Sequence, residues 1–294
     1  MRIWLMAARP RTLPAAIAPV LVGTAAAAQW LGHLPRWGAF VAALVGSIFI
    51  QIGTNLANDY SDAKRGADTT DRLGPVRVTS AGLVTPQRVM TATWIAFAVA
   101  VACGIYLATV AGVVILVIGV FSIAAGVLYT GGPRPYGYAG LGEVFVFLFF
   151  GLVAVNGSYY AQLEHLDPLP LGLSISVGFL ATAILVVNNV RDLETDRRAG
   201  KMTSAVRIGR ANAVNLYRLL VIGAFLVLPV SLLGGENGSA LPLIGLLAAP
   251  MAIKPMRAMA NHTDGPALNG ALAGTGALLG AFSLLVTAGL LISS

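Results

Sequence analysis

The sequence contains little charge and almost no cysteine. Only 11% of its 294 residues are Asp, Glu, Lys or Arg, whereas a soluble domain carries about a quarter. Cys103 is the single cysteine, which excludes a disulfide framework and a cysteine-ligated metal. The histidines, His33, His165 and His262, are scattered along the chain, so a histidine-ligated metal is not predicted either. These absences exclude a disulfide scaffold and a zinc domain.

Hydrophobic residues take up 57% of the chain instead, and the mean hydropathy is +0.80. They form uncharged runs long enough to cross a bilayer, for which a helix needs about 20 residues. This pattern predicts an all-α, polytopic membrane protein with a single domain over residues 1–294. The first run is expected to be a retained span, because Arg9-Pro10-Arg11 comes too early for a cleaved signal peptide. The nine predicted spans lie near residues 12–32, 37–58, 89–108, 112–133, 140–163, 168–190, 212–233, 237–256 and 268–291.

Lysine and arginine cluster at one end of the predicted bundle. Nine spans put the two termini on opposite sides of the membrane, and of the 19 basic residues only Arg36 falls on the far side. By the positive-inside rule the basic face is cytoplasmic, and the N-terminus lies on it. The formal net charge of +7 is therefore interpreted as a topology signal with contacts to anionic membrane lipids, and not as a nucleic-acid surface.

Two acidic motifs end predicted spans two and six on the cytoplasmic side. In each, an Asn is followed four residues later by an Asp and then by a second Asp, which places the three on one helix face. We interpret the two motifs, at 55–68 and 188–201, as a weak internal repeat. Helix C-termini and the nearby bilayer both disfavour carboxylates, so the acids indicate cation binding. The motifs begin Asn55-Leu-Ala-Asn58-Asp59-Tyr60-Ser61-Asp62 and Asn188-Asn-Val-Arg-Asp192-Leu-Glu-Thr-Asp196.

The ligand type narrows the choice of ion. Carboxylate and amide oxygens without His or Cys select a hard cation, Mg²⁺ or Mn²⁺. Magnesium held by few carboxylates usually completes its coordination with phosphate oxygens, and interleaved bases suit the same anion. Acids and bases together predict a magnesium–diphosphate clamp. The bases, each of which also fits a plain topology signal, are Lys64, Arg65, Arg72, Arg134, Arg197, Arg198 and Lys201.

A diphosphate clamp that opens into a lipid-level helix bundle favours a substrate with phosphate at one end and hydrocarbon at the other. Polyprenyl diphosphates have this form. The metal would neutralise the leaving diphosphate so that the allylic C–O bond ionises. Aromatic ring faces could then stabilise the carbocation, although tyrosines here also fit an ordinary interfacial belt. The tyrosines near the cytoplasmic ends are Tyr60, Tyr129, Tyr136 and Tyr138.

On these residues the sequence resembles the UbiA superfamily of intramembrane aromatic prenyltransferases, and within it the branch that acts on 1,4-dihydroxy-2-naphthoate. The resemblance covers most of the chain in the family's order, and the paired aspartate motifs carry it most specifically. Met202 departs from the pattern, because relatives often have a basic residue there. The other matching segments are Ala8-Arg9-Pro10-Arg11-Thr12-Leu13-Pro14, Arg72-Leu-Gly-Pro75, Tyr129-Thr-Gly-Gly-Pro-Arg-Pro-Tyr136-Gly-Tyr138 and Ala205-Val-Arg-Ile-Gly209.

The resemblance implies nine helices around a central cavity, with a cytoplasmic cap formed by the loops after helices two and six. It implies two Mg²⁺ ions, one on Asp59 and Asp62 and the other on Asp192 and Asp196. It places polar partners of these carboxylates at Asn55 and Asn188, and candidate diphosphate or naphthoate-carboxylate contacts at Lys64, Arg134, Arg197 and Lys201. Residue type and position add three further sets of candidates. Arg65 is predicted to contact the diphosphate, and Asn58, Tyr60 and Tyr138 are predicted to contact the substrates. The naphthoate pocket is predicted to include Arg9, Arg11, Asn156 and Tyr160.

The implied reaction is C-prenylation of 1,4-dihydroxy-2-naphthoate with loss of its carboxylate as CO₂, which gives demethylmenaquinone in a bacterial inner membrane. One alternative keeps the fold and changes the acceptor, to 4-hydroxybenzoate, a chlorophyllide or a haem. The other is an ion-coupled transporter, whose sites tend to lie near the bilayer midplane rather than at span ends. Glu143, near the start of span five, is the one acid that argues for the transporter. Neither prenyl chain length nor oligomeric state is predicted.

Overall fold

The computed structural model describes residues 2–33, 36–67, 73–234 and 239–294, and nearly all of them lie in helices. These ranges contain no strand, which confirms the all-α prediction. Eight helices are long and apolar enough to cross a membrane, and a further apolar helix is shorter. In chain order they are α1 (Pro14–Leu31), α2 (Trp37–Lys64), α3 (Pro86–Ala111), α4 (Val113–Leu128, the shorter one), α5 (Gly142–Leu163), α6 (Pro168–Arg191), α7 (Ser204–Ser231), α8 (Leu241–Asn261) and α9 (Gly265–Ile292).

These helices match the predicted spans in order and differ from them at the ends. The helix α2 continues past the apolar run to Lys64, so the first acidic motif is helical. The helix α7 begins at Ser204, before its apolar part, and changes direction at Gly209, whose φ is 80°. The first part of α8 is a 3₁₀ helix over Leu241–Ala252. Pro242 and Pro250 lie in this stretch and cannot donate the backbone hydrogen bonds of a regular α-helix.

The helix α5 has a π-helical stretch in its middle, over Phe147–Val153. There Gly151 lies against α6, and a Cβ added to it would meet Cα of Gly178 at 2.7 Å. Small residues on both helices allow this close approach, as in many membrane bundles. The π-helical stretch also brings Phe149 and Phe150 to the central cavity described below.

The helices α1 and α6 form the centre of the bundle. In each, 72% of the apolar window is buried, against about a third in α2, α3, α5, α7 and α8. Val22 of α1 and Val177 and Leu180 of α6 have no exposed surface, and they belong to one large apolar core. The outer helices leave large apolar side chains exposed, as expected for surfaces that face lipid tails.

Contacts between helix ends define two ends of the bundle. At one end, which we call the far end, Nε2 of Gln29 donates to Oγ of Ser293 at 2.6 Å. At the other, which we call the motif end, Nζ of Lys201 lies 3.1 Å from Oδ2 of Asp62. Since Asp62 belongs to the first acidic motif and Lys201 to the second, both motifs lie at the same end of the bundle.

Candidate active site

An amphipathic cavity of about 260 Å³ lies between the helices at the motif end. Its apolar and aromatic wall comes from α4, α5, α6 and the segment between α4 and α5, with further apolar residues from α1, α2 and α9. Its polar wall comes from the ends of α2 and α6 and from the loops that follow them. The charged residues that line it are Arg9, Asp62, Arg77, Asp192, Asp196 and Lys201. Acids and bases of both motifs therefore meet around one cavity.

Asp62 is paired with several side chains, and only 1% of its surface is exposed. Its Oδ2 lies 3.2 Å from Nη2 of Arg77 and 3.1 Å from Nζ of Lys201. Its Oδ1 accepts a hydrogen bond of 2.8 Å from the hydroxyl of Tyr138. A carboxylate buried this deeply needs such partners, because desolvation of an isolated charge costs several kcal/mol. This cluster joins the first motif, the following loop and the second motif.

The second motif begins in the last turn of α6 and continues past its C-terminus. Arg191 forms two hydrogen bonds with the carboxylate of the adjacent Asp192. Its Nε donates to Oδ1 at 2.9 Å and its Nη2 donates to Oδ2 at 2.6 Å. The same guanidinium donates to Oδ1 of Asn188 at 2.7 Å. The short helix Leu193–Arg198 then places Asp196 one turn further along the cavity wall. The four-residue spacing read from the sequence thus brings Asn188, Asp192 and Asp196 to one wall.

In the first motif, the residues on the cavity wall include Asn58 and Asp62, which are also four residues apart. Oδ1 of Asn58 accepts a hydrogen bond of 2.8 Å from the hydroxyl of Thr130. This pair corresponds to Asn188 and Asp192 of the second motif. Asn55 also lines the cavity, and the alignment of the repeat on Asn55 and Asp59 stays a prediction.

Asp59 is not among the described residues that line the cavity. It is 2% exposed, and its oxygens accept hydrogen bonds from the backbone N–H groups of Val78 at 3.1 Å and Thr79 at 2.9 Å. The predicted role of Asp59 as a metal ligand stays a prediction. Its contacts in the structure are with the loop that precedes α3.

The predicted diphosphate contacts divide between the cavity and its surroundings. Lys201 lines the cavity, and its Nζ lies 4.9 Å from the centre of the Tyr138 ring. Arg65 is exposed, lies 5.6 Å from the same ring centre and donates to the carbonyl of Gly132. The side chains of Lys64, Arg134, Arg197 and Arg198 are also exposed at this end, while Arg72 and Asp68 lie outside the described residues.

The predicted substrate contacts divide in the same way. Arg9 and Asn55 line the cavity, and Nδ2 of Asn55 donates to the carbonyl of Ala8 at 3.0 Å. Arg11 is exposed, and Tyr60 packs on a small apolar cluster beside the loop before α3. In α5, Nδ2 of Asn156 donates to a backbone carbonyl of its own helix, and Tyr160 packs against a separate apolar cluster. Among the described residues, these last four are not on the cavity wall.

Two charged residues near the cavity were not predicted as site residues. Arg77 was interpreted only as a topology signal, and no local pattern distinguishes it from other loop arginines. Glu143 is 9% exposed, and its Oε1 accepts hydrogen bonds from Nδ2 of Asn189 at 2.8 Å and from the Ser204 hydroxyl. A single acid in an apolar run does indicate a buried polar contact, and Asn189 connects this one to the cavity wall.

A row of aromatic rings forms much of the apolar wall. The ring centres of Tyr129 and Tyr136 are 5.4 Å apart, those of Tyr136 and Phe145 are 3.9 Å apart, and those of Phe145 and Phe149 are 6.2 Å apart. Burial raises the pKa of the Tyr136 hydroxyl above its ordinary value of 10.0, so this tyrosine stays neutral at physiological pH. Neutral rings offer electron-rich faces to a hydrocarbon chain or a cation.

The donor set at the polar end fits a hard divalent cation. Its oxygens come from the carboxylates of Asp62, Asp192 and Asp196 and from the amides of Asn58 and Asn188. Among the described residues there is no group of three or more His, Cys, Asp or Glu that could hold a metal ion. Mg²⁺ is typically held in proteins by few carboxylates, and it completes its coordination with water and phosphate oxygens.

Fold and site together define a multi-pass membrane protein with an amphipathic cavity between its helices. Residues 16–271 match the UbiA prenyltransferase family. The chain therefore belongs to the UbiA prenyltransferase family.

Individual relatives agree with this assignment. The chain is 42% identical over 287 residues to the 1,4-dihydroxy-2-naphthoate octaprenyltransferase of Mycobacterium leprae, which covers 98% of this chain and 95% of the relative. It is also 42% identical over 290 residues to the protein of the same name from Mycobacterium tuberculosis, with 98% and 96% covered. The structure of a UbiA homolog from Archaeoglobus fulgidus bound to GPP and Mg²⁺ has a TM-score of 0.65 at 16% identity and covers 97% of this chain and 99% of that one. This last similarity shows the shared fold and agrees with the predicted architecture.

Proposed function

We propose that this protein transfers a polyprenyl group from a polyprenyl diphosphate to 1,4-dihydroxy-2-naphthoate, in the synthesis of menaquinone. The allylic C–O bond of the donor breaks and diphosphate leaves with the electron pair. A new C–C bond forms between the prenyl group and the naphthalene ring, and the ring loses its carboxylate as CO₂, which gives the hydroquinone form of demethylmenaquinone. The names of the relatives at 42% identity support this acceptor.

The observation that carries the proposal is the division of one cavity into a charged end and an aromatic end. Arg77 and Lys201 present cations beside Asp62 at the charged end, where they would bind the diphosphate. The aromatic row from Tyr129 to Phe149 would hold the hydrocarbon chain and stabilise positive charge on its first carbon. The exposed bases around this end would attract the anionic donor from solution or the membrane surface.

We further propose that the enzyme uses Mg²⁺, with two ions and with Mn²⁺ as a substitute. Asp62 would hold one ion and Asp192 with Asp196 the other, while the predicted contribution of Asp59 is considered further below. When bound, Mg²⁺ supplies charge neutralisation on the leaving diphosphate. Arg191 contacts both Asp192 and Asn188 and so holds these two side chains together. The solved UbiA homologs with Mg²⁺ are consistent with this cofactor.

The location that we propose is the bacterial cell membrane, with the motif end and the N-terminus on the cytoplasmic side. The proposal follows from the distribution of lysine and arginine, which favours that side for the loops of the motif end. Water-soluble 1,4-dihydroxy-2-naphthoate would then reach the cavity from the cytoplasm, and the prenyl chain would lie at the level of the lipid tails.

The experiment supplies purified protein with Mg²⁺, one polyprenyl diphosphate and one acceptor at a time. We expect product and release of CO₂ with 1,4-dihydroxy-2-naphthoate, and no product when Mg²⁺ is chelated. Asp192→Asn should leave a folded protein whose rate of prenyl transfer falls by at least about 100-fold. Loss of this ligand weakens metal binding, and the negative charge on the leaving diphosphate is then no longer compensated. Asp264→Asn, a change at an exposed helix cap of the same end, is the control with activity near that of the parent.

Two results would contradict the proposal. If the enzyme prenylated 4-hydroxybenzoate and released no CO₂ from the naphthoate, the fold assignment would stand and the proposed acceptor would be wrong. Normal turnover of Asp192→Asn would show that the proposed metal clamp is not needed for prenyl transfer.

A further inference from the structure

The segment that connects the first motif to α3 folds back on itself. We call residues 73–85 the arginine loop. The carbonyl of Val78 accepts hydrogen bonds from the N–H groups of Leu83 at 3.0 Å and Val84 at 3.1 Å. The side chain of Val78 has no exposed surface and packs in a small cluster with Leu56 of α2 and Val89 of α3. The loop therefore packs on α2 through Val78.

Asp59 is the polar anchor of this loop on α2. Its carboxylate accepts hydrogen bonds from two consecutive backbone N–H groups, those of Val78 and Thr79, and it is 2% exposed. Hydrogen bonds to an ionised carboxylate are roughly twice as strong as neutral ones. Both oxygens are used in these two hydrogen bonds. The contacts of this acid therefore fix backbone position rather than line the ligand site.

Arg77 directly precedes the anchored amide. Its side chain is 8% exposed and lines the cavity, with Nη2 3.2 Å from Oδ2 of Asp62. One peptide unit separates the group that Asp59 holds from the residue that enters the cavity. A shift of the loop would therefore move the guanidinium away from Asp62.

We propose that Asp59 is a positioning residue that anchors the arginine loop through the amides of Val78 and Thr79 and so holds Arg77 in the cavity beside Asp62. The anion that Arg77 meets there is the donor diphosphate, and in this respect the inference rests on the proposed function. Within the first motif, Asp62 then acts in the cavity directly and Asp59 acts through Arg77.

The first test needs no turnover. Trypsin cleaves after accessible arginines, and in the purified parent Arg77 is buried and should resist cleavage. Asp59→Ala removes both acceptors, and we expect cleavage after Arg77, identified by mass spectrometry, to rise on the order of 10-fold because cleavage follows the population of the open loop. Asp59→Asn keeps one acceptor oxygen and should show a smaller rise. Asp192→Asn, the same chemical change in the other motif, should leave Arg77 as protected as in the parent.

The second test separates anchoring from metal binding by kinetics. Asp59→Ala and Arg77→Met should each raise KM for the prenyl diphosphate by about 10-fold, equivalent to about 1.4 kcal/mol. The double variant should be no worse than the poorer single variant, because both changes remove the same contact. The Mg²⁺ concentration for half-maximal rate should stay within about 2-fold of the parent for Asp59→Asn, whereas Asp192→Asn should raise it by on the order of 10-fold, as loss of one metal ligand does.

A specific pattern would overturn the inference. If Asp59→Asn raised the Mg²⁺ requirement as much as Asp192→Asn while Arg77 stayed protected from trypsin, Asp59 would be a metal ligand and not an anchor. Additive effects of Asp59→Ala and Arg77→Met on KM would also contradict it. If the parent transferred no prenyl group to any acceptor, the proposed function would fail, while exposure of Arg77 in Asp59→Ala would still support the anchoring role.

Discussion

Glu143 is a buried carboxylate with one oxygen in use and one without a described partner. Oε1 accepts from Asn189 and Ser204, whereas Oε2 has no hydrogen-bond partner among the described residues. We expect Glu143→Gln to keep the two accepted bonds, remove a buried charge and leave the melting temperature unchanged or higher. Glu143→Ala should destabilise the protein by about 1–3 kcal/mol, because both donors lose their acceptor. Thermal unfolding of both variants in detergent measures the difference. Equal destabilisation by Gln and Ala would mean that the charge itself is required.

At the residue scale, the positions of some site residues can be predicted from the sequence and those of others cannot. The spacing of Asn188, Asp192 and Asp196 predicted a shared wall, because helical periodicity alone determines which residues share a face. The places of Asp59 and Arg77 depend on how the loop before α3 packs on α2. No helical periodicity covers that loop, so neither the anchoring contact nor the guanidinium beside Asp62 could be derived from the sequence.

At the scale of the helix, hydropathy predicts where the apolar middle of each span lies. It does not predict the residues at which the helix begins and ends. The helix α2 extends through a polar turn to Lys64, because its acids find partners in neighbouring loops. The π-helical stretch of α5 is equally invisible in the sequence, since a run of Phe, Leu and Gly fits an α-helix as well. Its position follows from the close contact of Gly151 with Gly178 of α6.

Gly209 provides a test at the same scale. Its φ of 80° and ψ of 161° lie inside α7, in a region that residues with a Cβ rarely adopt and at a cost of about 1–3 kcal/mol. A Cβ at this position would meet nothing within 4 Å, so Gly209→Ala should destabilise through backbone strain alone. Gly119→Ala in α4 is the matched control, because it is also free of contacts within 4 Å but helical. The control should be neutral or stabilising by up to about 1 kcal/mol. A neutral Gly209→Ala in thermal unfolding would contradict the bend.

At the scale of the whole molecule, the arginine loop connects the two motifs. Asp59 holds it from α2, and Nδ2 of Asn269 in α9 donates to the carbonyl of Leu73 at 3.0 Å. Asn269 in turn accepts from Arg191 at 2.9 Å, next to Asp192. The two halves of the repeat are thus joined at the motif end by hydrogen bonds of the Asp59, Asn269 and Arg191 side chains. A repeat detected in sequence predicts two similar motifs, whereas their relative position depends on this connection.

The orientation of the whole bundle is tested by labelling from one side of the membrane. At the far end, the backbone N–H of Arg36 donates to Oε1 of Gln162 at 2.8 Å, and Ser294 lies exposed at the same end, next to the Ser293 that binds Gln29. At the motif end, Arg134 is exposed. In a Cys103→Ala background, a membrane-impermeant maleimide should label Ser294→Cys in intact bacteria and Arg134→Cys only in inverted vesicles, because the basic loops stay in the cytoplasm. The reverse pattern would place the cavity mouth outside the cell and contradict access of the naphthoate from the cytoplasm.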